Sequence, residues 1–154
     1  MFTILVNNDA EYKQISEDSI RDLALKIYEA SGIEGKGEVS LTFLSDEEIQ
    51  QLNKDYRQID KPTDVLTFPQ SEGMDIPMPD DENFEPLIGD IIISVETAER
   101  QAAEQGHPFS KEVAVLLIHG ILHLHGFDHI EDEDYEKMKA EEDRILEAIS
   151  QHIK

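Results

Sequence analysis

The sequence predicts a single α+β domain, residues 1–154, in which a small mixed four-stranded sheet packs against about five helices. Short runs of apolar and β-branched residues predict the strands, and segments with apolar residues at helical spacing lie between them. Neither an internal repeat nor a linker divides the chain, and 154 residues are enough for one hydrophobic core. The most apolar helical segment carries a cluster of histidines and is expected at the centre of the domain.

The first half of the chain predicts two strands and two helices. They are a strand at Phe2–Asn7, a helix at Ser16–Ser31, a strand at Glu38–Leu44 and a helix from Ser45 to about Lys54. Gly32 is expected to end the first of these helices. The stretch SDEE is a capping box, in which Ser45 and Glu48 satisfy backbone donors at the start of the second helix.

The second half predicts two more strands and three helices. They are strands at Val65–Phe68 and Asp90–Ser94, and helices at Val95–Gly106, from Ser110 toward Gly126, and at Asp132–Ile153. The segment Pro69–Gly89 is rich in Pro, Asp and Glu and is predicted to be a surface loop. Ser110 is the predicted N-cap of the apolar helix, and Gly126 is the residue expected to reverse the chain after it.

The net charge of the chain is −22, from 35 acidic and 13 basic residues. This excludes nucleic-acid binding through bulk charge, so such binding would need a local patch, a metal ion or a helper. Asn53–Lys61 is the only short central stretch with a net positive charge, and it places Tyr56 beside Arg57. The absence of cysteine excludes disulfides and thiolate metal sites and fits a cytoplasmic protein. No apolar run approaches the roughly 20 residues of a membrane span.

Four of the six histidines lie in the eleven residues HGILHLHGFDH, which begin at His119. His119 and His123 are four residues apart on the predicted helix, so their rings leave the same face. Gly126 then turns the chain, and His129 can come back to face them. Three imidazoles at this spacing predict a site for one Zn²⁺ ion that keeps a fourth position open. Ni²⁺ or another divalent ion can also load a three-histidine site.

The residues around this triplet have separate interpretations. Asp128 is either an acceptor for the ring N–H of a ligand or a simple turn residue. His125 lies about 200° around the helix from His123, so we expect it off the ligand face, exposed or at the edge of the core. His107 and His152 are expected to be surface histidines.

The histidine spacing matches the zinc-peptidase signature H-E-x-x-H-x-x-G-x-x-H, except that Gly120 replaces the glutamate that serves there as general base. This argues against amide or peptide hydrolysis. Glycine costs about 1 kcal/mol relative to alanine inside a helix, so we expect Gly120 to leave space for a bulky substrate. Phosphodiester hydrolysis needs a cation on the developing charge, and Arg57 is the first candidate. A salt bridge from Arg57 to Asp60 or Asp64 is the alternative.

The histidine motif resembles the HGxLHLxGxDH signature of the YbeY family, the zinc-dependent, single-strand-specific endoribonucleases of ribosomal RNA maturation. Three further stretches resemble the family in the same order: LNKDYR at 52–57 its LNxxYR, PTDVLTFP at 62–69 its PTDVLSFP, and GDI at 89–91 its GDI. The resemblance implies that His119, His123 and His129 bind zinc. It also implies that Arg57 is the functional arginine near the metal.

The resemblance further implies single-stranded RNA, above all ribosomal RNA, as the substrate, with roles in rRNA 3′-end maturation and ribosome quality control. The expected partners are the ribosome or ribosomal proteins, and neither DNA nor a membrane is expected. Because the chain is so acidic, a ribosomal protein that delivers the substrate is favoured. Two other hypotheses stay open at this point: a ribosome-assembly factor with a structural metal, and a zinc-dependent amide or peptide hydrolase. No side chain is assigned as general base.

Overall fold

The computed structural model describes residues 2–13, 15–69, 87–126 and 132–150. In chain order the elements are β1 (Phe2–Asn7), α1 (Glu17–Ser31), β2 (Gly37–Leu44), α2 (Asp46–Arg57), β3 (Val65–Pro69), β4 (Leu87–Ser94), α3 (Val95–Gln105), α4 (Phe109–Leu124) and α5 (Asp132–Ile149). The predicted fold class, α+β with a four-stranded mixed sheet and five helices, is confirmed.

The four strands form one sheet in the order β1-β2-β4-β3. β1, β2 and β4 are parallel, with Ile4 opposite Val39 and Leu41 opposite Ile91. β3 runs antiparallel to β4 at the edge of the sheet. Alternate residues of β2 and β4 are buried, as expected for strands that turn one face toward a core. The sheet therefore leaves β3 at an edge.

Helix α4 is the most deeply buried helix segment and packs against β3 and β4. A Cβ atom built on Gly120 would lie 2.9 Å from Cγ2 of Ile91, a fully buried residue of β4. The glycine thus permits close contact between helix and sheet. The predicted substrate space at Gly120 is wrong, because the side chain of Ile91 already fills that position.

Local capping signals place most helix ends as predicted. Both hydrogen bonds of the Ser45–Glu48 capping box are present, each from the backbone N–H of one residue to the side chain of the other. Gly32 ends α1 in the left-handed conformation, with φ +74°. Gly126 follows α4 with φ +96°, as a residue that reverses the chain. Ser110 is not the N-cap of α4; Pro108 is, and its carbonyl accepts the backbone N–H groups of Lys111 and Glu112 at 3.0 and 3.3 Å.

Two other boundaries differ from the sequence prediction. α2 continues three residues beyond Lys54, to Arg57, and ends where Gln58 adopts a left-handed conformation with φ +59°. The side chain of buried Asn53 donates to the carbonyl of Lys61 at 2.9 Å, which ties the following turn back to the helix. β4 begins at Leu87 and β3 includes Pro69, so the ends of the predicted loop belong to strands. Residues 70–86 lie outside the described residues.

Asp46 joins the N-termini of α2 and α3. Its carboxylate accepts hydrogen bonds from the hydroxyls of Ser94 and Thr97, both at 2.6 Å, and forms an ion pair with Arg100 at 2.8 Å. Partial burial by itself raises the pKa of Asp46, but the three donors together bring the pKa below its ordinary value. The network fixes α2 relative to α3.

α5 covers α1 and α4 with an apolar stripe. Met138, Ile145 and Ile149 are buried, in agreement with the amphipathic pattern of the sequence. Among the helices that the structure describes, none is both long and apolar enough to cross a membrane.

Candidate metal and nucleic-acid site

A cleft of about 430 Å³ opens between the C-terminus of α2, strand β3 and helix α4. Its lining residues are Tyr56, Arg57, Thr63, Asp64, Val65, Leu66, Thr67, Phe68, His119 and His123. The cleft thus brings Arg57 together with His119 and His123, two of the three predicted metal ligands. Arg57 precedes both histidines by more than 60 residues in the chain. His129 and Asp128 lie outside the described residues.

His119 and His123 share one face of α4, as their spacing predicts. Their ring centroids are 4.5 Å apart and the rings are inclined at 59°. Both side chains line the cleft, whereas the neighbouring position, Gly120, faces Ile91 in the sheet. The position that carries glutamate in zinc peptidases therefore faces the core in this protein.

The carboxylate of Glu142, in α5, contacts the ring of His119. Its Oε1 atom lies 3.1 Å from Nδ1 of His119, and the two side chains are 18% and 28% exposed. A carboxylate at this distance accepts the Nδ1–H, and in that tautomer Nε2 is the ring nitrogen that carries no proton. Glu142 therefore selects the tautomer in which His119 can bind a metal through Nε2.

The donors in the cleft fit a zinc site. Neutral imidazole nitrogen is a preferred zinc ligand, and a carboxylate that accepts the other ring N–H is its common companion. Within the described residues no three His, Cys, Asp or Glu side chains form a complete metal-binding group. His129, the third predicted ligand, falls outside them, so the structure brings together two members of the predicted set.

Arg57 lies in the last turn of α2 with an exposed side chain. Neither of the carboxylates considered as its salt-bridge partners takes that role. Asp60 accepts a hydrogen bond from Gln50 at 3.0 Å, and Asp64 accepts one from the backbone N–H of Val65 at 2.7 Å. Among the described residues no carboxylate pairs with Arg57, which lines the cleft.

Asp64 shapes the wall of the cleft. Besides its side-chain bond to Val65, its backbone carbonyl accepts the N–H of Ser94 at 3.0 Å and so joins the start of β3 to the end of β4. The turn at Thr63 and Asp64 is thereby held to the sheet. The strand that forms one side of the cleft begins at this turn.

The other histidines have structural contacts. His125 lies off the ligand face, at the edge of the core, with Nε2 2.8 Å from the hydroxyl of Tyr28; burial lowers the pKa of His125. The prediction of a surface position is wrong for His107, whose ring is 13% exposed and contacts buried Glu112 at 2.7 Å. The pair forms because the turn before α4 brings His107 back onto the first turn of the helix. His152 lies outside the described residues.

Glu142 is the site residue that sequence reasoning missed. It stands four residues after Met138 and three before Ile145, so it lies on the apolar stripe of α5. An acidic residue on a stripe that faces the core is a signal for a polar partner across the helix interface. The spacing within the histidine motif gave no indication of it.

Comparison with known proteins places the chain in a family. The model of the family described as endoribonuclease YbeY matches residues 5–150. The chain belongs to the YbeY family. The endoribonuclease YbeY of Desulforamulus reducens is 46% identical over 149 residues, 95% of this chain and 96% of the relative. That of Bacillus pumilus is 42% identical over 151 residues, 94% of each chain.

A solved structure supports the same assignment. The solution structure of a protein from Thermotoga maritima matches with a TM-score of 0.64 and 31% sequence identity, over 97% of this chain and 89% of that one. The family that the four sequence motifs indicate is confirmed by the family model and by these relatives.

Proposed function

We propose that this protein is a metal-dependent endoribonuclease that cuts single-stranded RNA in the cleft between α2, β3 and α4. One observation carries the proposal: Arg57, without a carboxylate partner among the described residues, shares a 430 Å³ cleft with His119 and His123. A metal site and a cation that faces the phosphate both stabilise the charge that develops in phosphoryl transfer. Membership of the YbeY family, whose curated members are named endoribonucleases, supports RNA as the substrate.

His119, His123 and His129 are the residues that would hold the metal. The nitrogen donors fit Zn²⁺ best, and Ni²⁺ can load the same kind of site. When bound, the ion supplies a Lewis acid that polarises a phosphate oxygen and activates water. Glu142 keeps the ring of His119 in one orientation and one tautomer through its hydrogen bond to Nδ1. Asp128 is a second candidate for such a role, toward another ligand.

Arg57 acts on the phosphate. Its planar guanidinium can donate two parallel hydrogen bonds to phosphoryl oxygens. Because the charge on these oxygens grows as the phosphodiester bond breaks, the interaction strengthens in the transition state. Loss of one such donor typically lowers kcat by roughly 10²- to 10³-fold.

The biological setting that we propose is rRNA 3′-end maturation and ribosome quality control in the cytoplasm. The net charge of −22 favours delivery of the substrate by the ribosome or a ribosomal protein, because the protein surface repels free RNA. Peptide hydrolysis is disfavoured by Gly120, whose position faces Ile91 and not the cleft. DNA is not expected as a partner, because the relatives are named endoribonucleases.

The test is cleavage of end-labelled single-stranded RNA by protein of measured metal content. We expect His123→Ala to abolish cutting and Arg57→Ala to lower kcat roughly 10²-fold or more, whereas Arg21→Ala, on the far helix α1, should cut like the wild type. Equal cutting by wild type and His123→Ala would refute the assignment of this cleft. Absence of cutting by fully metal-loaded wild type, alone and with ribosomes, would favour the assembly-factor hypothesis.

A further inference from the structure

Tyr56 is unusually exposed for a large side chain. It is 65% exposed, more than any other large apolar residue that the structure describes; the others above one third are Leu5, Leu25, Ile59 and Leu87, at 38–44%. Scattered exposed apolar residues are ordinary on protein surfaces. Tyr56 differs in its location, because it lines the cleft together with Arg57 and the two histidines.

The ring of Tyr56 is held in place by Phe68 of β3. Their centroids are 5.3 Å apart and the rings are inclined at 66°, an edge-to-face arrangement. In such a pair an edge of one ring meets a face of the other, so at least one face of Tyr56 is left uncovered by Phe68. The ring is therefore both oriented and open to a flat ligand.

The surroundings of Tyr56 favour an anionic ligand. Lys54, Arg57 and Lys61 stand against Asp55 and Asp60 in this stretch of chain, and Arg57 is the cation among them that lines the cleft. Asp55 lies about 200° around the helix axis from Arg57 and accepts a hydrogen bond from Gln51 at 2.9 Å, so its carboxylate faces another side of α2. A flat aromatic face beside a cation with which no described carboxylate pairs is the arrangement that binds a base and its phosphate.

We infer that Tyr56 is a stacking platform for one nucleobase of the RNA, next to the phosphate that Arg57 contacts. This inference rests on the proposed function and adds a specificity element to it. A base can lie on Tyr56 only after it has left its own helical stack, so a duplex is excluded while any unpaired base is accepted. The platform thus gives a physical reason for single-strand selectivity with little sequence preference.

The test compares steady-state cleavage by metal-loaded protein on two kinds of single-stranded RNA. The first kind is an ordinary oligonucleotide. The second kind is a set of oligonucleotides, each of which carries a single abasic ribose at a different position around the cut. On ordinary RNA we expect Tyr56→Ala to lower kcat/KM roughly tenfold, mainly through KM, because stacking on an aromatic ring contributes to binding. Tyr56→Phe and Tyr56→Trp should keep the wild-type value, and so should Ile59→Ala, a neighbouring exposed apolar residue outside the cleft lining.

The abasic substrates separate stacking from other roles. At one abasic position, the wild type and Tyr56→Ala should become equal, because the variant loses only what the missing base provided. A tenfold defect that persists at every abasic position would overturn the platform, as would equal kcat/KM for wild type and Tyr56→Ala on ordinary RNA. In both of those cases the nuclease itself would stand. Failure of the metal-loaded wild type to cut any of these RNAs, alone and with ribosomes, would overturn the proposed function and the platform together.

Discussion

Replacement of Gly120 by alanine tests the contact between α4 and the sheet. The added Cβ would lie 2.9, 3.1 and 3.3 Å from Cγ2, Cδ1 and Cγ1 of Ile91. Ile91 is fully buried and β-branched, so its side chain cannot turn away freely. Overpacking of this kind costs about 1–3 kcal/mol, while alanine regains about 1 kcal/mol of helix propensity. We therefore expect Gly120→Ala to lower the free energy of unfolding by about 1 kcal/mol, within a range of about 0–2 kcal/mol.

Urea unfolding followed by circular dichroism measures this change, and a double-mutant cycle isolates its cause. Ile91→Ala removes all three atoms that the new Cβ would meet. In the Ile91→Ala background the clash is gone, so Gly120→Ala should stabilise the protein by up to about 1 kcal/mol. The same free-energy change for Gly120→Ala in both backgrounds would refute the contact. Stabilisation by Gly120→Ala in the wild type would refute it as well.

Two further predictions concern polar contacts. Glu142→Ala removes the acceptor at Nδ1 of His119 and should weaken zinc binding about 10- to 100-fold. A chelator competition measures the affinity, with Glu141→Ala as the neighbouring control. Equal zinc affinity of the wild type and Glu142→Ala would contradict the role of Glu142. Asp46→Asn should lower the free energy of unfolding by about 1 kcal/mol at pH 7. Because the folded pKa of Asp46 is below the ordinary 3.8, the wild-type advantage should be complete above that value and disappear as pH falls through the folded pKa. An advantage that urea unfolding finds unchanged down to pH 2 would contradict this reasoning.

The end of α1 and the start of α2 could be read from the sequence because they depend on neighbouring residues. The Ser45–Glu48 capping box and the glycine after α1 act within one turn of a helix. The end of α2 could not be read in this way, since neither Gly nor Pro follows Arg57 directly. Gln58 takes the left-handed conformation there, and a tertiary bond from Asn53 to Lys61 holds the turn. The helix end that positions Arg57 is thus set by contacts beyond the local pattern.

In the candidate site, too, some features could be predicted from the sequence and others could not. The shared face of His119 and His123 follows from a spacing of four residues on one helix. Glu142 could not be linked to His119 by spacing, because it lies 23 residues away on a separate helix. Gly120 was misinterpreted for a related reason: its contact, Ile91, belongs to a strand that only the folded sheet brings near. Sequence patterns indicate which residues share an element, whereas pairing between elements requires the fold.

The order of the site residues along the chain matters for the newly synthesised protein. The cleft and its supporting carboxylate draw on residues from Tyr56 to Glu142, and β4 must insert between β2 and β3 before the sheet exists. A nascent chain therefore carries the arginine long before the histidine pair, and the histidine pair before Glu142. Domains generally fold as units once enough of the chain has emerged from the ribosome. The contact between Glu142 and His119 therefore forms only after α5 has been made, when every residue that lines the cleft is already in the chain.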